Sequence, residues 1–155
     1  MHFSVQGDHL HLLVEARDAR ALSSGVRSVS IRVARYVNAL LSRRGPLWAE
    51  RWHGRALGSP REVRNVLLYV LANFRKHARK ALPPGLDACS SAAWFDGWRG
   101  WAPGGGVPPP LVARAPSGGV GDELRACPVL PPRTWLAKRG WRRHGLLGLA
   151  ETPRS

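Results

Sequence analysis

Apolar positions in the first half of the chain change period as it proceeds. Between His9 and Val14 they alternate, so Leu10, Leu12 and Val14 share one side of an extended segment while His9 and His11 share the other. This predicts strands over His2–Val5 and His9–Ala16, a tight turn at Gln6-Gly7-Asp8, and a core-facing side made by the three aliphatic residues. From Leu22 the spacing lengthens to three and four residues. Leu22, Val26, Val29, Val33, Val37 and Leu40 form one stripe of a helix over Ala19–Ser42, with Arg20, Arg27, Arg35 and Arg43 off the stripe and Gly45 as its terminator. The aromatic stretch Leu47–Leu57 suits a third strand. Ser59-Pro60-Arg61-Glu62 then reads as a capping box with proline in the first helical position. The helix it opens is expected to reach about Leu82 on a stripe of Val63, Val66, Leu67, Val70 and Phe74, with Pro83-Pro84-Gly85 ending it.

Beyond residue 83 the pattern dissolves. Residues 102–121 are dominated by Gly, Pro, Ala and Ser and are read as a flexible linker. Two tryptophan-rich islands flank it, Trp94–Trp101 and Arg133–Gly145. Aromatics interleaved with cations bind single-stranded nucleic acid by stacking and phosphate contact. Tryptophans of a tail equally pack it onto a main domain, and the sequence leaves both readings open. The expected organisation is a domain over 1–82 and a loop-rich C-terminal extension over 83–155.

Charge sharpens the partner question. The chain of 155 residues carries a formal net charge of +14, which points to a polyanion, nucleic acid before membrane surface. Residues 1–82 hold 15 Lys/Arg against 5 Asp/Glu, so the polyanion site is expected there. Cys89 and Cys127 are too few and too far apart for a zinc motif or a disulfide scaffold, which suits reduced thiols. No segment approaches a membrane-spanning apolar run of about 18 residues, and the N-terminus lacks a basic region followed by an apolar one. A cytoplasmic, nucleoid-associated protein without a membrane partner is expected; monomer and dimer both remain open.

Two constellations carry chemistry. His9 and His11 project together from one strand and make two thirds of a metal site, although solvated strand histidines look the same in sequence. In the last helix Tyr69 and Asn73 stand four residues apart, hence on one helical face, and basic residues from Arg75 follow at once. That basic run also complements the helix dipole.

The order of a His-x-His strand, a long helix, an aromatic strand and a Tyr-x-x-x-Asn helix resembles the HUH-type single-strand tyrosine transposases. Within them it is closest in pattern to the REP-associated (IS200-like) branch. The resemblance rests on Asp8-His9-Leu10-His11-Leu12-Leu13-Val14 and Tyr69-Val70-Leu71-Ala72-Asn73, extends through Ala21–Arg27 and Pro60–Val63, and covers Met1 to about His77. It implies an α+β, ferredoxin-like fold, an antiparallel sheet with helices on one face. It also implies single-stranded or hairpin DNA as partner, Mg²⁺ or Mn²⁺ held by His9, His11 and Asn73, and Tyr69 as nucleophile of a 5′-phosphotyrosine intermediate. A phenol is a weak nucleophile at neutral pH but an adequate leaving group, which suits reversible strand exchange. Arg51, Arg75 and Lys76 are candidate phosphate contacts from their charge. Family members carry a strand, a helix and most of another strand ahead of the histidine strand. The resemblance therefore implies a chain incomplete at its N-terminus, with exposed sheet edges and two helical stripes short of a sheet. The alternative it leaves is a catalytically inactive nucleic-acid-binding remnant.

Overall fold

The computed structural model describes residues 1–76, 82–103, 109–113 and 129–153. It is a mixed α/β structure whose chain divides into two compact units, Met1–Val14 with Leu57–Ser155, and Glu15–Ala56. The first unit joins both ends of the chain, so its boundaries differ from the division at residue 83 read in the sequence.

In the first unit, β1 (His2–Val5) and β2 (Leu10–Leu13) form an antiparallel hairpin in which Ser4 opposes His11 and Phe3 opposes Leu12. The Gln6 amide donates to the His9 carbonyl at 2.9 Å and closes the turn. Helix α2 (Pro60–Lys76) opens with the expected capping box: Ser59 N–H donates to Glu62 Oε2 at 3.0 Å and Glu62 N–H to Ser59 Oγ at 3.3 Å. Residues 77–81, where its end was expected, lie outside the described residues.

Helix α2 is the centre of the unit. Val63, Leu67, Leu71 and Phe74 are buried against Leu86, Phe95, Trp98, Trp141 and Leu147 of the C-terminal region. The bidentate pair between Arg64 and Glu151, 2.9 and 3.1 Å, pins the far end of the tail to the same helix. Packing therefore claims much of both tryptophan islands. Trp98 and Trp141 are 3% and 1% exposed, and their indole N–H groups donate to the carbonyls of Ala92 and Ala137. Of the linker expected over 102–121, residues 104–108 and 114–121 lie outside the described residues, while β4 (Leu111–Ala113) pairs in parallel with β3 (Leu86–Asp87).

The tail also changes the sheet. The Val5 amide donates to the Cys89 carbonyl, the Phe3 amide to Ser91 Oγ, and Ser4 bridges Ser90. The edge of β1, expected to be bare, is thus occupied by residues 89–91, which satisfies backbone groups that would otherwise invite aggregation.

The hairpin faces the core with the other side than the alternation suggested. His2, Ser4, His11 and Leu13 turn towards α2 and the tail, Ser4 fully buried and Leu13 packed on the core. Val5, Leu12 and Val14 are 50%, 37% and 37% exposed. The tail decides this, since Ser91 Oγ meets His2 Nδ1 at 3.1 Å and Phe95 packs edge-on against the His2 ring at 5.1 Å.

The second unit holds α1 (Ala19–Leu40), capped by Asp18, whose Oδ1 accepts from the Ala21 amide at 2.7 Å. Its terminator is Ser42 and not Gly45. Ser42 adopts φ +49°, its amide donates to the Ala39 carbonyl, and the Arg43 amide donates to the Asn38 carbonyl, a Schellman pattern three residues ahead of the glycine. No residue of α1 is buried; Val29 and Leu40 of its stripe are 42% and 68% exposed. The strand expected over Leu47–Leu57 does not form. A strand needs a partner ladder for its N–H and C=O groups. Instead Trp48 folds back, its indole N–H donating to the Ser30 carbonyl at 3.0 Å.

Two outcomes follow from this packing. A Cβ added at Gly97 collides with the rings of Trp141 and Phe95. Gly97→Ala is expected to lower stability by about 1–3 kcal/mol, as overpacking of a filled core does, measured by urea unfolding. The second concerns His2, whose pKa burial pushes down to about 4, with the neighbouring Met1 ammonium adding to the effect. The fold holds the neutral ring, whereas the unfolded chain takes up a proton near pH 6.5. The stabilisation is complete above pH 6.5 and is lost as pH falls from 6.5 through 4. At about 1.4 kcal/mol per pKa unit it amounts to about 3 kcal/mol. Unfolding free energies across this range should slope steeply in the parent and much less in His2→Phe.

Candidate functional site

Helix α2 and strand β2 bring three of the residues singled out in the sequence into ring contact. The His11 ring stands edge-on to Tyr69 with centroids 4.9 Å apart, and to His9 with centroids 4.6 Å apart. The contact exists because the histidine side of β2 faces the helix. Had Leu10 and Leu12 faced inward, His11 would have pointed away from Tyr69.

His9 is oriented by its own neighbour. Its Nδ1 lies 2.6 Å from Asp8 Oδ1, so the carboxylate beside it restrains the ring. Asp8 was legible as part of the motif, but its hold on the ring was not. Lys76 brings its ammonium over the Tyr69 ring at 5.6 Å, one helical region further on.

Asn73 is 0% exposed, and among the described residues neither its Oδ1 nor its Nδ2 has a hydrogen-bond partner. Between it and Tyr69 the helix is interrupted at Ala72, φ −120° and ψ 15°. The one-face alignment expected of an ideal four-residue spacing is therefore broken, with Tyr69 half-buried and Asn73 wholly buried. A buried, unsatisfied amide costs about 1–3 kcal/mol, a cost that an oxygen-seeking cation would remove. Imidazole nitrogen and carboxamide oxygen are donor types that a divalent cation accepts. Among the described residues no group of three His, Cys, Asp or Glu side chains could hold a metal.

The cations selected from charge separate. Arg75 is drawn into structure: its guanidinium stacks on the Phe74 ring at 4.9 Å and donates to the carbonyls of Leu82, Pro83 and Gly85 at 3.0, 2.8 and 3.3 Å. Burial lowers its pKa. It closes the chain after α2, the task of a basic residue at a helix C-terminus. Arg51 is exposed and belongs to the second unit. Lys76 alone of the three stands beside Tyr69.

No helix of the described residues is long and apolar enough to cross a membrane. Compared with family models, curated proteins and solved structures, the chain gives no match.

Proposed function

We propose that the chain is a metal-dependent enzyme that cuts and rejoins single-stranded DNA, with Tyr69 as nucleophile, on a ferredoxin-like scaffold of the kind its motifs resemble. The observation that carries this reading is the contact of the Tyr69 ring with His11 and, through it, His9. It joins the proposed nucleophile to the paired imidazoles from 58 positions further along the chain. A core of chance composition has little reason to place a hydroxyl-bearing ring there.

In this reading His9, His11 and Asn73 would hold Mg²⁺ or Mn²⁺, and the ion would supply Lewis-acid polarisation of the scissile phosphate. Asp8 restrains the His9 ring. Tyr69 Oη, losing its proton to solvent, forms a bond to phosphorus. The bond from phosphorus to the 3′-oxygen breaks, and that oxygen takes up a proton as a free 3′-hydroxyl. The product is a 5′-phosphotyrosine. The Lys76 ammonium neutralises charge on the phosphate as the new bond forms. Attack of a 3′-hydroxyl on the phosphotyrosine reverses these steps and rejoins strands.

The test is incubation of the chain with hairpin-bearing single-stranded DNA and Mn²⁺, followed by denaturing electrophoresis. A denaturation-resistant protein–DNA adduct supports the enzyme. DNA binding without adduct leaves a nucleic-acid-binding module and removes the catalytic claim.

A further inference from the structure

The tail contains a surface that the proposed chemistry does not use. Helix α3 (Trp135–Lys138) and the 3-10 turn Gly140–His144 lie in a stretch, residues 133–144, with five Lys/Arg and no Asp/Glu. Trp141 of this stretch is buried, yet Trp135 is 50% exposed. Its ring lies against the backbone of Gly140, where an added Cβ would come within 2.7 Å of Cζ3, and the Arg143 guanidinium sits 4.8 Å from the ring centroid. Lys138, Arg139 and Arg143 are exposed, and among the described residues none of the three forms an ion pair. Arg142 differs, since it pairs with Asp96 at 2.8 Å and stacks on buried Trp141.

We infer that the Trp135–Arg143 surface is a single-stranded nucleic-acid subsite, on which a base stacks against the Trp135 ring and neighbouring phosphates meet Lys138, Arg139 and Arg143. Three physical features select this ligand. A half-exposed indole resting on a glycine is a π-system held in place, and its open part beside the Arg143 guanidinium can receive a base. A guanidinium on an aromatic ring offers a second planar surface and a phosphate contact at once. Leu136 packs on the core, so the apolar side of α3 is spent inside, and the exposed aromatic carries a guanidinium rather than the apolar side chains a lipid surface would ask for.

The test uses fluorescence anisotropy of the full chain with a labelled 20-nucleotide poly-dT, the same oligomer with abasic positions, and anionic phosphatidylserine vesicles as competitor. Trp135→Ala and Arg143→Ala should each weaken poly-dT binding about ten-fold. Trp135→Phe, which keeps a ring, should recover most of that loss and also shows that the segment still folds. Trp135→Ala should leave the weaker abasic affinity unchanged. The parent should bind poly-rU and poly-dT alike if only stacking and phosphates are read; a preference for one polymer assigns the natural strand without moving the site. Unchanged poly-dT affinity in Trp135→Ala overturns the inference. Equal losses for abasic and normal oligomers overturn it as well, as do vesicles that displace an equal charge of oligonucleotide. The subsite is independent of the phosphotyrosine reading. If no adduct forms while Trp135-dependent binding persists, only the catalytic reading falls, and an adduct with Trp135-independent binding removes only the subsite.

Discussion

Tyr69→Phe is expected to abolish the covalent protein–DNA adduct while leaving single-strand affinity within about two-fold of the parent, a difference of under about 0.5 kcal/mol. The substitution removes one oxygen and nothing else. The aromatic ring that meets His11 at 4.9 Å and lies under Lys76 at 5.6 Å stays in place, so α2 keeps its packing and the histidines keep their neighbour. What disappears is the one hydroxyl in that contact, the group the proposal has bonding to phosphorus and leaving again. A second nucleophile would show itself at once. An adduct of undiminished yield in Tyr69→Phe, mapped by mass spectrometry to another residue, would sink the assignment of Tyr69. Tyr36 is the control: it is 70% exposed in the second unit, and Tyr36→Phe should react like the parent.

The second large effect has opposite signs in stability and activity. Asn73→Leu replaces a carboxamide that is fully buried with both polar atoms unsatisfied by the aliphatic side chain closest to it in branching. Removing such a group from the interior relieves a desolvation cost of about 1–3 kcal/mol, so the metal-free variant should unfold at higher urea than the parent. Adduct formation should be lost in the same variant. In the parent, Mn²⁺ bound to the folded state should raise the unfolding temperature, and in the variant that rise should shrink or vanish. A residue kept at a cost to stability and needed for activity is what a functional position looks like. If Asn73→Leu instead destabilises the metal-free chain and leaves the Mn²⁺ shift intact, the amide is a packing element and the ligand set loses its oxygen donor.

The two effects separate nucleophile from ligand. Tyr69→Phe should leave the Mn²⁺ shift intact, because the ring oxygen is not among the proposed donors. Asn73→Leu should lose both readouts together.

The parts legible in the amino-acid sequence were those whose causes lie within a few residues of one another. The tight turn after Val5, the reciprocal Ser59–Glu62 cap and the helix expected over Ala19–Ser42, found over Ala19–Leu40, follow from short-range hydrogen bonds and from periodicity, so they could be placed without any partner. The chemistry-bearing types were legible for the same reason, since His9 and His11 share a strand side by spacing alone. Which side of the hairpin is buried was not. Alternation assigned the core to Leu10, Leu12 and Val14, and the opposite side won because His2 and Phe3 bond to Ser91, 89 and 88 residues away. The fate of the tryptophans and the occupation of the β1 edge by Cys89–Ser91 have the same origin. Burial is a contest among surfaces distant along the chain, and a local pattern records what each segment can offer but not which offer the tail accepts. The meeting of Tyr69 with His11 belongs to that second class: both residues could be named from sequence, and only tertiary packing decided that they touch.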